Sequence, residues 1–268
     1  MTTQDILEDQ NKTHETVITV VNEHITAMIK AGVHIGRIPS KTSPKMAPFM
    51  YGPRGVTAIF DLQKTKEKLD EAEAFIKKLV SENKTILFAG TKPAARKFIQ
   101  KIGDEFGYPT VKDRWIGGTL TNSKNISGRV QRLEQLLREK AEGGFQKYTK
   151  KEIMKKEEEI KHLEDTFGGL RSLKRLPNAL VLADIDENNL AVREARRMKI
   201  PIIAITNSNT DPNTITYPIP ANDNSTPSLR YIFGRIENAI QEGKKMASVA
   251  ERQVAKQQVT EQTEQPEK

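Results

Sequence analysis

A chain of 268 residues with 36% apolar residues can bury one full core and carry an appended module, so one domain with an insertion suffices and a second core is not required. The formal net charge of +8 makes polyanions, RNA, DNA or anionic lipid, the expected partners. The absence of cysteine excludes a disulfide framework, thiolate catalysis and Cys-ligated zinc or iron–sulfur sites; with no apolar run of membrane-spanning length and no secretory pattern, a cytoplasmic home is expected.

In chain order, residues 1–22 are polar and aperiodic and are expected to form a flexible extension. A short helix begins near Glu23, with Ile25, Met28 and Ile29 at helical spacing and Gly32 placed to end it. Pro39, Pro44, Pro48 and Pro53, with Gly36, Gly52 and Gly55, then forbid any long regular element, which predicts an extended arm. Its cations Arg37, Lys41, Lys45 and Arg54 alternate with Met46, Phe49, Met50 and Tyr51, so one side can pack while the other faces a partner.

From Val56 the rhythm is α/β. VTAIFDL reads as a buried strand, followed by a helix over 64–81; TILFAG at 85–90 reads as a second strand, followed by a helix opening at Pro93. A short third strand lies at Thr110 and Val111. ALVLADI at 179–185 and PIIAIT at 201–206 are further strands flanking a helix over 188–198. A last helix opens at Thr226 with Pro227 in its first turn, and 249–268, rich in Gln, Glu and Lys, reads as a disordered tail. Strands joined by helices through short connections imply a parallel sheet sandwiched by helices. The α/β domain is thus expected over 23–125 and 170–248.

Between its halves, Ile126, Val130, Leu133 and Leu137, and after Gly143-Gly144 the residues Ile153, Ile160, Leu163 and Phe167, form two heptad-like seams. They predict an antiparallel coiled-coil hairpin over 126–169, its second helix started by the capping box Thr149/Glu152. Because the seams complement each other, the hairpin is expected to be separable from the sheet.

The stretch RWIGGTLTN at 114–122 holds the only tryptophan, beside Arg114 and before a Gly-Gly step. A tight turn with Trp115 at least half buried is one expectation, while an arginine and an aromatic together also suit phosphate contact and base stacking. No enzymatic constellation assembles. No G-x-G-x-x-G or Walker sequence is present, and the four histidines are scattered. Asp184 and Asp186 form a D-x-D pair that could hold magnesium in a transferase, although capping of the next helix explains it as well. No cofactor or metal is expected.

The motifs AGVHIG at 31–36, SPKMAPFMYG at 43–52, IFDLQKT at 59–65, FAGTKPAA at 88–95, DRWIGGTLTN at 113–122, LPNALVLADID at 176–186 and IPIIAITNSNTDP at 200–212 resemble, in order and spacing, the bacterial-type small-subunit ribosomal protein two family. That resemblance implies a flavodoxin-like, doubly wound parallel sheet with a protruding coiled-coil hairpin, no catalysis, attachment to small-subunit ribosomal RNA, and contact with neighbouring ribosomal proteins including the large messenger-binding protein one. The chain departs from the family's usual pattern at Arg37, commonly histidine, and at Thr42, commonly tryptophan.

Charge and resemblance together name Arg37, Lys41, Lys45 and Arg54 of the arm, Arg114, Trp115 and Lys124 of the tryptophan stretch and its sequel, and Arg129 and Arg132 of the hairpin as candidate RNA contacts, reading shape and backbone. A free-standing RNA- or DNA-binding regulator and a metal-dependent transferase using Asp184 and Asp186 are the alternatives.

Overall fold

The computed structural model describes residues 23–263; the expected N-terminal extension, 1–22, and the last five residues, 264–268, lie outside the described residues. Helix α1 (23–30) buries Met28 but leaves Ile29 51% exposed. The arm is less extended than its prolines suggest. Pro39–Lys41 and Pro44–Phe49 are 3-10 turns, each opened by a proline whose missing N–H costs nothing in a first turn. Strands β1 (Met50–Arg54) and β2 (Thr57–Phe60) then pair antiparallel as a separate two-stranded sheet. VTAIFDL therefore belongs to the arm and not to the parallel sheet. Its alternation of half-buried and buried residues, Thr57 and Ile59 against Ala58 and Phe60, is that of a strand packed on one face only.

Helix α2 (Leu62–Ser81) starts where Asp61 accepts from the Gln63 and Lys64 amides. Strand β3 (Ile86–Ala89), helix α3 (Pro93–Phe106) and strand β4 (Thr110–Val111) follow. After two inserted helices, α4 (Ser123–Ala141) and α5 (Lys150–Phe167), come β5 (Ala179–Leu182), α6 (Asn189–Arg197), β6 (Ile202–Thr206), β7 (Tyr217–Pro220) and α7 (Thr226–Thr263). The five strands of the main sheet run parallel in the order β4-β3-β5-β6-β7. Counted within the sheet this is 2-1-3-4-5, the flavodoxin-like order. Strand β7, Tyr-Pro-Ile-Pro, has no counterpart among the sequence expectations, because two prolines argue against a strand. It is tolerated at an edge, where only β6 needs its ladder bonds.

Alternation along the strands sorts the core into two layers. Ile86, Phe88, Ala179, Val181, Ile203 and Ile205 face α2, α3 and α7, while Leu87, Ala89, Leu180, Leu182, Ile202 and Ala204 face α4, α5 and α6. Arg235 of α7 ties the first layer together, bonding Asp70 at 2.9 Å and Glu73 at 2.7 Å on α2.

Helices α4 and α5 run antiparallel, linked by Arg132–Glu159, Lys156–Glu139 and Lys140–Glu157 ion pairs. Glu152 reaches back to the Thr149 amide at 2.9 Å, the capping box read from the sequence. The insertion does not pack on itself alone. Ile126, Val130, Leu133, Leu136, Leu163 and Phe167 belong to the same buried cluster as Leu87 and Leu180 of the sheet. The 3-10 turn that leaves the insertion, Gly168–Leu170, is equally tight, since a Cβ on Gly169 would meet the Thr110 carbonyl oxygen at 2.2 Å. The proximal turns of both helices are therefore a wall of the second core layer, with Leu136 fully buried where the heptad reading favoured Leu137.

The C-terminal expectation also changes. Helix α7 continues to Thr263, well past Val249. Ala, Gln, Glu, Lys and Arg dominate that segment and neither glycine nor proline interrupts it, so helix propensity carries it on where low hydrophobicity suggested a tail.

Candidate nucleic-acid interface

The loop 112–122 is organised around a carboxylate that lies far away in sequence. Glu194 of α6 is 6% exposed and accepts five hydrogen bonds: from Trp115 Nε1 at 3.2 Å, from the amides of Gly118 at 2.8 Å, Leu120 at 3.0 Å and Thr121 at 3.1 Å, and from the Thr121 hydroxyl at 3.1 Å. Three amides within four residues point at one anion, and Gly118, at φ 92°, takes a conformation that side chains disfavour. Burial alone would raise the Glu194 pKa, but the three amides and the indole hold it below the ordinary carboxylate value. Trp115 itself is 6% exposed. Its ring cannot stack on a base, which removes it from the candidate RNA contacts and leaves it as the anchor that holds neighbouring Arg114 in solvent.

At the C-terminal ends of the sheet strands, where open α/β folds take ligands, the chain's own polar side chains fill the crevice. Lys92, after β3, pairs with Asp223, after β7, and reaches Asn224 Oδ1 at 3.1 Å; Asn207, after β6, donates to the same Asp223. Asn188 donates to Asp184 Oδ2 at 3.1 Å and Thr91 Oγ1 at 3.2 Å. Asp184 is fully buried, and burial pushes its pKa up to about 6 against the pull of Lys92. Asp186 has different partners, accepting from Arg37 Nη2 at 3.3 Å and Asn209 Nδ2 at 2.8 Å. Among the described residues no acidic or histidine cluster suits a metal ion. The D-x-D pair is thus split between an inward carboxylate that fixes the start of α6 and an outward one that fixes the arm.

That rim is also where the arm docks. The Arg37 amide donates to Ser208 Oγ at 2.9 Å, the Ser43 amide to the Ser208 carbonyl at 2.7 Å, and Lys45 to Asp211 Oδ2 at 2.6 Å. Lys45 in turn holds Asp211 below the usual carboxylate range.

The expected contact residues therefore fall into two groups. Arg37, Lys45 and Arg132 already hold ion pairs, with Asp186, Asp211 and Glu159. Lys41, Arg54, Arg114, Lys124 and Arg129 are exposed and, among the described residues, have no ion pair or side-chain hydrogen bond. Lys124 and Arg129 line one open concavity of about 740 Å³ with Asn122 and Asn125. Glu194, Lys92, Asn207 and Asp223 escaped the sequence reading. A signal existed only for Glu194, an acid on the inward stripe of α6 beside Ala191 and Ala195. Lys92, Asn207 and Asp223 stand in turns where polar residues are ordinary.

Residues 28–243 match the family model described as ribosomal protein S2, a span that includes the arm, the sheet, α4, α5 and the first half of α7.

Proposed function

The chain belongs to the ribosomal protein S2 family and is a structural, RNA- and protein-binding component of the small ribosomal subunit, and from that premise we propose that it grips small-subunit ribosomal RNA through the cations of the arm, the tryptophan loop and the first turns of α4. The observation that carries this is the set Lys41, Arg54, Arg114, Lys124 and Arg129, exposed and without internal partners. A cation left unpaired on a rigid scaffold is free to neutralise a phosphate and release its counterion. Arg37, Lys45 and Arg132 join them by exchanging exposed ion pairs, worth about 0–1 kcal/mol each, for phosphate.

In the same reading α4 and α5 act as a coiled-coil arm whose distal half reaches beyond the core, supported by the cross-helix ion pairs at Glu139 and Glu157. The protein works on cytoplasmic ribosomes without catalysis of its own, a reading supported by the self-filled crevice at Lys92 and Asp223. Contact with the large messenger-binding protein one rests on the family resemblance alone. Sucrose-gradient sedimentation of cell extract with detection of this chain tests the proposal: co-migration with small subunits is expected. Migration with other nucleic acid, away from subunits, would instead mark a free-standing regulator.

A further inference from the structure

On the face of α4 opposite the Arg129 concavity lies a smaller cleft of about 160 Å³, walled by the start of α4 and by the segment 170–176 that leads into β5. Its floor is apolar, formed by Ile126, Val130 and Leu170. Its rim carries Lys124, Lys174 and Arg175 and the hydroxyl residues Ser123 and Ser127, and no acidic residue lines it. Among the described residues, none of the three cations has a side-chain partner. Arg132, Lys140, Lys156 and Arg171, by contrast, are each neutralised by a glutamate of the insertion. Three like charges gathered without a counter-charge repel one another and lower stability unless an anion is bound there.

Size narrows the class of anion. Small-molecule sites run from roughly 300 Å³ upward, and this cleft holds about half that. It has room for about five waters at ~30 Å³ each, which suits one tetrahedral oxyanion and excludes a nucleoside. The apolar floor offers no hydrogen bond to a base edge, and the rim hydroxyls of Ser123 and Ser127 suit phosphate oxygens as well as the cations do. Lys124 and Ile126 border both this cleft and the larger concavity on the other side of α4, so a backbone seated here can continue toward Arg129.

We propose that this cleft seats a single backbone phosphate of ribosomal RNA, held jointly by Lys124, Lys174 and Arg175, with Lys174 and Arg175 as binding residues that no sequence motif marked. The proposal rests on the RNA-gripping function above and adds its stoichiometry: three cations on one phosphate.

The test uses the full-length protein and small subunits from which it has been washed. Rebinding is titrated between about 50 and 200 mM salt for the wild type and for the Lys124→Gln/Lys174→Gln/Arg175→Gln variant, with thermal melts as the folding control. The slope of log affinity against log salt should become shallower by about 0.7–0.9, the increment for one phosphate. Ser127→Glu, which places a carboxylate in the cleft and removes no cation, should produce the same loss. An unchanged slope in both variants overturns the proposal, and so does a loss near or above twice that increment, which means separate phosphates. Inorganic phosphate is titrated in parallel. Saturable binding that the triple variant loses, with the subunit slope unchanged, assigns the cleft to a free oxyanion and also overturns the RNA reading. A wild type that fails to rebind at any salt sinks the functional reading itself, whereas normal wild-type rebinding with an unaltered variant slope sinks only the cleft.

Discussion

The indole N–H of Trp115 donates to Glu194 Oε1 at 3.2 Å across 79 residues of sequence, and the same carboxylate carries the amides of Gly118, Leu120 and Thr121. Loop and helix α6 are thereby one unit. Glu194→Ala strands three amide donors, each worth about 1–3 kcal/mol when left unsatisfied, so denaturant unfolding should show a loss of about 3 kcal/mol or more. Glu194→Gln keeps the shape but presents an amide to amides and should lose part of that. The pH dependence has a definite sign. The folded pKa lies below the ordinary value of 4.5, so the stabilisation is fully present above that pH and disappears as pH falls through the folded pKa. The Gln variant should lack this acid limb; an identical acid limb in both proteins would contradict the assignment.

Trp115 is the only tryptophan and is enclosed. Trp115→Phe should cost about 1 kcal/mol, the hydrogen bond to Glu194, while Trp115→Ala should cost about 3–5 kcal/mol through the cavity it leaves. Wild-type emission should be blue-shifted relative to free indole in water and should shift red on unfolding. Water-like emission from the native protein would place the ring outside.

Asp184 behaves in the opposite sense to Glu194. Its folded pKa of about 6 lies above the ordinary aspartate value of 3.8, so its charge costs stability above about pH 6 and that cost is relieved as pH falls toward 4. The upper bound is about 3 kcal/mol at 1.36 kcal/mol per unit. Asp184→Asn should be no less stable than the wild type at pH 7.5, and the difference between the two should shrink between pH 6 and 4. A wild type whose advantage over the variant grows with rising pH would refute this.

The insertion divides at its middle. Replacing 127–168 by a short linker removes Val130, Leu133, Leu136, Leu163 and Phe167 from the second core layer. At about 1.5–3 kcal/mol per large apolar side chain, the five together come to about 7.5–15 kcal/mol, as much as a typical domain's whole stability of about 5–15 kcal/mol. Calorimetry should find no cooperative transition. Replacing only 138–157 leaves those side chains in place and should preserve one. Cooperative folding of the longer deletion would restore the picture of a detachable arm.

The parallel sheet, its helices, the inserted helix pair and the capping at Thr149 were legible because each is a local pattern of period or cap chemistry. The order of strands across the sheet followed only from the family resemblance, since residues alone fix neither neighbour nor edge. Strand β7 was illegible because Pro218 and Pro220 contradict strand propensity, and only its edge position removes the conflict. The assignment of VTAIFDL to the wrong sheet has a similar source: pairing partners are long-range facts. Charge marked the candidate interface but not which of its cations are already paired within the protein. Arg37 and Lys45 look like Lys41 and Arg54 in sequence, and only the fold brings Asp186 and Asp211 to the first two. The Lys92–Asp223 pair joins the ends of two strands 131 residues apart and leaves no local trace.

The unpaired cations are the centre of the proposed grip on ribosomal RNA. Replacing Lys41, Arg54, Arg114, Lys124 and Arg129 by alanine leaves every ion pair among the described residues in place, so the melting temperature should stay within a few degrees of wild type. Occupancy of small subunits, measured by sucrose-gradient sedimentation across a salt series, should fall for the variant, and its apparent affinity should depend on salt less steeply than that of the wild type. Wild-type occupancy by the variant at every salt concentration would contradict the claim that these cations hold the protein on ribosomal RNA.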